Sequence, residues 1–443
     1  MGRHKTNIIL LIISAAVAFF CAPAFCEDFL IDGTYEAALD LPRILFLLKR
    51  DANGPPLEYE GNFELNWAFL DTGASGLLLS PETADALGIT KEPGALYVDV
   101  GVGGYEFFDV TEPLYLGTLA YDDPNPENPA RYLLNPQWRF QLGQTYSEWL
   151  NEPLDLIGMP AMAGKVVVLD PSRVAMLEYF IADIKSPGDS TIPVADINVA
   201  LRFEKYVTPD DPLNTPPLPV LAYNPLIVGI TIEYNADSST GDWLLDTGGT
   251  VSLFSYAQAE ALGLMDANHN PLVPVDFNVP IGGIGGQAEL PGFQIDSLSV
   301  PTLNGYNIVF QNARICVHDI GIIDEYGNEI ILDGVFGSNF LCPTMNISTW
   351  ELADTAFDRI IINMDTGILG FAVKSEYPLP PDNPLPPFAA GDINRDFSVD
   401  FYDLELFADE WLNDCDVLTF GCRDADINSD STVNFEDFAK FDY

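Results

Sequence analysis

The feature that most constrains this chain is an internal repeat. Residues 71–89, DTGASGLLLSPETADALGI, align without gaps on residues 246–264, DTGGTVSLFSYAQAEALGL, with nine of the nineteen positions identical. A long repeat of this kind means one structural unit used twice, so the first 376 residues are read as two related halves. In each copy an apolar stretch (67–70 and 243–245) delivers the aspartate, and a serine nine residues later, Ser80 or Ser255, is placed to cap a short helix ending at Gly88 or Gly263. Further matches follow in register. Glycine-rich hairpin tips occur at Gly101-Val-Gly-Gly104 and Gly282-Gly-Ile-Gly-Gly286, and apolar-apolar-Gly triplets at Leu156-Ile157-Gly158 and Val335-Phe336-Gly337.

The chemistry of the repeat lies in its first residues. If the halves meet about a pseudo-twofold axis, Asp71 faces Asp246, and two carboxylates that close cannot both ionise. One then keeps a proton and the other acts as a base, a pair suited to activating a water against a carbonyl without a metal or a covalent intermediate. Gly73 and Gly248 let backbone amides approach the carboxylates, while Thr72 and Thr247 are placed to hydrogen-bond across the junction. Ser75 and Thr250, four places after each aspartate, complete the loop support. The hairpin glycines Gly103, Gly104, Gly285 and Gly286 are expected in flaps closing over a substrate. Tyr105 reads either as a substrate-side hydroxyl or as a rim or core tyrosine. A third Asp-Thr-Gly, at 365–367, lacks the downstream Ser or Thr and the helix cap, and reads as a turn between strands.

At 443 residues the chain exceeds one ordinary core. Short β-branched and aromatic runs punctuated by Gly, Pro and Asn predict a mainly β body. Residues 1–26 have a basic start, a short apolar middle and small residues at the exit, the pattern of a cleaved secretory signal, with a retained anchor as the alternative. Beyond it no comparable apolar stretch follows, so no membrane span is expected after cleavage and the protein is placed outside the cell or at its surface. The formal charge of −47 excludes nucleic acid as a partner and reads as solubility, calcium binding, or both. In an oxidising compartment the cysteines suggest Cys316–Cys342 and Cys415–Cys422 disulfides rather than a metal cluster, and scarce histidine weakens a serine or cysteine hydrolase reading. The boundaries expected are 1–26 signal, 27–184 first lobe, 185–376 second lobe, 377–389 a stiff proline-rich linker, and 390–443 an acidic module.

In that module Asp392, Asn394, Asp396, Ser398, Asp400 and Asp403 fall at positions 1, 3, 5, 7, 9 and 12 of a calcium loop. Asp426, Asn428, Asp430, Thr432, Asn434 and Asp437 repeat the spacing, so two Ca2+ ions are expected, with a helix after each loop sharing a small core. Phe397 and Ser431 stand at the sixth position, where such loops carry glycine.

The Asp-Thr-Gly-Ala-Ser motif, the glycine-rich flap and the later apolar-apolar-Gly resemble retropepsin-like aspartic proteases, and their duplication is similar to the two-lobed pepsin family. The resemblance covers roughly residues 28–376. It implies two β-barrel-like acid-protease lobes, a polypeptide substrate, endopeptidase activity and a monomeric chain, with Asp71 and Asp246 as the dyad. Neither Ala74 nor Gly249 carries the hydroxyl that many pepsin-like enzymes have after the Gly, so an optimum less acidic than that of digestive pepsins is expected. The C-terminal repeat resembles a type I dockerin, an α-helical, EF-hand-like module. It implies docking to a cohesin-like partner, with a folding device as the plainer role. A non-catalytic binding protein built on the same lobes is the rival reading of the whole chain.

Overall fold

The computed structural model describes residues 27–59, 62–63, 66–128, 131–143, 146–147, 152–153, 155–176, 178–205, 219–323 and 329–441; the expected signal segment lies outside them. The molecule is mainly β, as expected, and its strands join into one continuous sheet system with small satellites.

The two halves repeat one connection. In the first, strand Asn66–Leu70 runs into Asp71, strand Leu77–Leu79 leaves the motif, and Leu156–Ile157 inserts between them, parallel to one and antiparallel to the other. In the second, Gly334–Gly337 inserts in the same way between Asp237–Asp246 and Leu253–Phe254. The inserted strand must end on glycine. A Cβ on Gly158 would lie 2.0 Å from Gly76 O and 2.4 Å from Ala74 O, and one on Gly337 would lie 2.4 Å from Val251 O. The helices Pro81–Ala86 and Tyr256–Ala261 follow as expected. Ser80 and Ser255 accept from Thr83 N and Gln258 N, and Gly88 and Gly263 exit at positive φ.

A third sheet region joins the halves: Ile181–Lys185, Val166–Asp170, Phe357–Asn363, Ile368–Val373 and Ile197–Glu204 pair antiparallel in that order. Its edges continue into Arg43–Lys49 on one side and Asn224–Tyr234 on the other. The third Asp-Thr-Gly is the turn between Phe357–Asn363 and Ile368–Val373, as its context predicts. Strand Phe29–Asp32, assigned by sequence to the first lobe, pairs in parallel with Asn307–Gln311 of the second half. The apolar core is correspondingly shared, running through both halves as one cluster that includes Leu70, Ile157, Trp243, Leu245 and Phe336.

The proline-rich stretch is extended but laid on the body, where Asn383 N donates to Asn304 O and Leu385 N to Leu303 O. Beyond it, helix Phe401–Asp409 and the short helices Phe420–Arg423 and Phe435–Phe438 enclose a core of Ile393, Leu406, Phe407, Val433 and Phe441. The Cys415–Cys422 disulfide forms. The expected Cys316–Cys342 bond does not, and both are buried thiols. Cys316 lies on strand Arg314–Val317 in the core beneath the second flap, whereas Cys342 lies in the shared core, its Sγ directed to the carbonyls of Asp40 and Pro343. Sequence proximity misled because chain neighbours were sent into different cores. Burial pushes both thiols up to about 12, so they are unreactive in the fold. Thiol titration of the unreduced chain from residue 27 onward should find none reactive when native and two after denaturation; complete blockage after denaturation would restore the pairing.

Candidate functional site

The site begins with a reciprocal hydrogen-bonded lock. Thr72 N donates to Thr247 Oγ1 (3.1 Å) and Thr247 N to Thr72 Oγ1 (3.0 Å), while the same hydroxyls donate to Leu245 O (2.5 Å) and Leu70 O (2.7 Å). Both threonines are fully buried. Each hydroxyl is thus satisfied as donor and acceptor, so neither loop can shift without unpairing buried polar groups.

The lock sets the aspartates opposite each other. Asp71 Oδ1 accepts from Gly73 N (2.8 Å) and Ala74 N (3.1 Å), and Asp246 Oδ1 from Gly248 N (2.9 Å) and Gly249 N (3.0 Å). The carboxyls also share a hydrogen bond. Each lies over the opposing glycine: a Cβ on Gly73 would stand 2.7 Å from Asp246 Cγ, and one on Gly248 2.5 Å from Asp71 Cγ. Desolvation raises both carboxyls, and the neighbouring Asp246 charge pushes Asp71 further, well above the usual carboxylate range. The backbone donors oppose this only in part. The pair therefore titrates as one system that retains a proton after ordinary aspartates have lost theirs.

Support is pseudo-symmetric. Met159 N donates to Ala74 O (2.9 Å) and Ser338 N to Gly249 O (2.8 Å); Ala222 N reaches Ser75 O (2.9 Å) and Ala38 N reaches Thr250 O (2.8 Å). Ser75 and Thr250 thus contribute through their carbonyls.

Above the pair, hairpins Lys91–Gly101/Gly104–Thr111 and Phe277–Gly283/Gly286–Gln294 meet tip to tip. Gly103 N donates to Ile284 O (3.0 Å), Gly285 N to Glu106 Oε2 (3.1 Å), and a Cβ on Gly103 would lie 2.2 Å from Gly285 C. Gly104 and Gly286 hold positive φ at the tips. Tyr105 is 56% exposed, a rim residue rather than a core one.

Three polar residues outside the motifs belong to this neighbourhood. Asp99, on the first flap strand, is raised by burial, held by Gln141 Nε2 (2.5 Å), and senses the Asp71 charge. Buried Asp155 accepts from Ser80 N (2.8 Å) and Thr83 Oγ1 (2.6 Å), tying the capped helix to the inserted strand. Asn224 reaches the first dyad loop. Asp99 had a signal, a lone acid in the apolar run Leu96-Tyr-Val-Asp-Val100; Asp155 and Asn224 had none.

The two acidic loops share one conformation. Arg395 and Phe397 in the first, and Ser429 and Ser431 in the second, hold positive φ, so the sixth position adopts the left-handed turn without glycine. Asp400 and Asn434 cap the following helices in capping boxes with Asp403 and Asp437. In the second loop the carboxylate oxygens of Asp426, Asp430 and Asp437 lie within 4.8 Å of one another, a donor set fitting a hard divalent cation. In the first, Asp396 is held by Asn394 Nδ2 and Ser398 N, and Asp403 by Ile393 N, Asn394 N and Asp400 N; the second loop holds Asp426, Asp430 and Asp437 on its own backbone donors in the same way. Burial, then the nearby Asp403, raises Asp392 to about 6. Asn428 and Thr432 supply Oδ1 and N to the second loop's own hydrogen bonds.

Comparison with known proteins corrects the family reading. No family model matches the chain, and no curated protein does. Solved structures that match include basic 7S globulin from soybean, at 11% identity and TM-score 0.37 over 76% of this chain and 97% of that one. Conglutin gamma, a basic 7S globulin from lupine seeds, matches at 10% identity and TM-score 0.35, over 76% and 96%. This is a loose likeness of fold to seed globulins. The resemblance to retropepsin-like and pepsin-like proteases with a type I dockerin is therefore withdrawn as a family assignment: short motifs carried it, and no family model matches the chain. Among the described residues no helix is long and apolar enough to cross a membrane.

The raised carboxyl of Asp71 has a consequence that needs no substrate. A raised folded-state pKa stabilises the fold at low pH and costs stability as pH rises above the unfolded value of about 4. Asp71→Asn should therefore melt higher than wild type at pH 7, with the gain vanishing below about pH 4. A loss at pH 7 and parity only in acid would show that Asp71 is stabilised as the anion.

Proposed function

We propose that the chain is a hydrolase in which Asp71 and Asp246 share one proton and activate a water against the amide carbonyl of an extended polypeptide. The observation that carries this is the hydrogen-bonded carboxyl pair, raised by burial and held by four backbone amides on a locked threonine frame. One carboxylate takes a proton from water as it attacks; the protonated partner donates to the oxygen on which charge develops. The proton then passes to the leaving nitrogen as the C–N bond breaks. The flap hairpins in contact correspond to a closed state and must part to admit a chain.

A second reading, a non-catalytic binding protein on the same scaffold, draws on that closure, since Gly103 and Gly285 meet with no space for a strand between them. Casein hydrolysis between pH 3 and 7 separates the two. The dyad reading predicts turnover peaking less acid than pH 2, reduced about 100-fold or more by Asp71→Asn or Asp246→Asn. Equal turnover in wild type and variants contradicts it, and absence of turnover in wild type favours binding.

Export is proposed with this chemistry, supported by the Cys415–Cys422 disulfide. The C-terminal module is proposed to take Ca2+, through Asp426, Asp430 and Asp437 first, with Asn428, Thr432 and Asn434 completing the set. In the first loop Asp392, Asn394, Asp396, Ser398, Asp400 and Asp403 would turn from their own backbone donors to the ion. A protein partner would meet the exposed Phe401 and Phe435. Ca2+ at a hundredfold excess over Kd should stabilise the fold by about 2–3 kcal/mol, read as a higher melting temperature, and Asp437→Ala should abolish most of the shift. An unchanged shift in that variant would place the ion elsewhere.

A further inference from the structure

The pseudo-symmetry of the dyad loops is broken at one hydrogen bond. In the second loop the carbonyl of Thr247 accepts from the hydroxyl of Ser338 (2.8 Å), the residue after Gly337. In the first loop the residue after Gly158 is Met159, whose side chain has no donor to offer. A buried carbonyl left bare is costly, and the chain supplies a donor from elsewhere. Asn224 Nδ2 donates to Thr72 O (2.9 Å) and Gly73 O (3.1 Å). Asn224 is completely buried and opens strand Asn224–Tyr234 of the other half.

The segment that brings Asn224 there is held from outside by the C-terminal module. Ala222 N donates to Ser75 O (2.9 Å), and Tyr223 N to Leu418 O (3.0 Å) of the module. The Arg423 guanidinium lies over the Tyr223 ring at 5.8 Å and pairs with Glu204 (3.3 Å), the residue opposite Asn224 in the ladder. Next to Glu204, Phe203 stacks on Phe420 with centroids 3.6 Å apart and planes 7° from parallel. The module is thus two short links from the catalytic loop: Leu418 O and Arg423 hold Tyr223 of the 222–224 strap while Phe420 stacks on Phe203 of the strand paired with it, and the strap reaches Thr72 and Gly73.

We propose that Asn224 is a positioning residue for the Asp71 loop and that the C-terminal module is its brace, so that the module sets the dyad's protonation as well as any attachment it makes. The functional half of this rests on the hydrolase reading above. When Asn224 no longer holds the Thr72 and Gly73 carbonyls, the peptide between Asp71 and Ala74 is free to tilt, and Gly73 N loses its aim at Asp71 Oδ1. That donor favours the carboxylate form, so its loss raises the dyad further.

Two measurements on the full chain test this, with Asn224→Ala and Phe420→Ala. Hydrogen exchange at the amides of Thr72, Gly73 and Ala74 should speed up about tenfold in the first variant and at least threefold in the second. Exchange in the flap strand Gly104–Thr111, which pairs with neither the dyad loops nor the 222–224 strap, should stay as in wild type. The acid limb of the kcat–pH profile should move to higher pH by about half a unit or more in both, with KM little changed. Wild-type exchange at residues 72–74 in both variants would overturn the brace. Should Asn224→Ala not fold, Phe420→Ala decides, since its ring stacks on Phe203, outside the dyad loops. Faster exchange in a protein without turnover would uphold the brace and defeat the hydrolase reading, so the two failures are distinguishable.

Discussion

The structure depends on two buried threonines that hydrogen-bond to each other's backbone. Thr72 and Thr247 each use one hydroxyl to accept from the opposite loop and donate into the opposite strand, so the loops exist in one relative position or break four buried hydrogen bonds. That position forces two carboxyls together in a desolvated site. The cost of holding them is met by backbone amides, which Gly73, Gly248 and the inserted strands ending at Gly158 and Gly337 bring close.

Much of this was legible in the sequence because it was written twice. The repeat at 71–89 and 246–264 pointed to the facing aspartates, the capped helices and the supporting glycines, and the third Asp-Thr-Gly was separated from them by its context. What sequence could not supply were contacts between segments remote in the chain. Asn224 lies 152 residues from Thr72 and belongs to no motif. The pairing of Phe29–Asp32 with the second half, and the separation of Cys316 from Cys342 into different cores, are likewise consequences of topology. The family resemblance failed differently. A few residues around a carboxyl are a chemical solution that does not by itself fix a family, and no family model matches this chain.

The C-terminal module shows the same division. The repeated acidic spacing and the helix after each loop were readable, and so was the Cys415–Cys422 bond. The positive φ of Phe397 and Ser431 was not, because glycine's absence argued against the turn the loops adopt. Nor did the proline-rich stretch reveal that it lies along the second half instead of holding the module at a distance. Packing against Glu204, Phe203 and Tyr223 turns an apparent appendage into part of the frame around the dyad.

The central claim is that Asp71 and Asp246 hold one proton between them. Carbon-13 NMR of aspartate side-chain carboxyls, compared between wild type and Asp246→Asn, tests it most directly. The account predicts one carboxyl that stays protonated well above the ordinary aspartate range of about 4 and whose titration changes when Asp246 is replaced. Two independent titrations near 4, unaltered by the substitution, would contradict it.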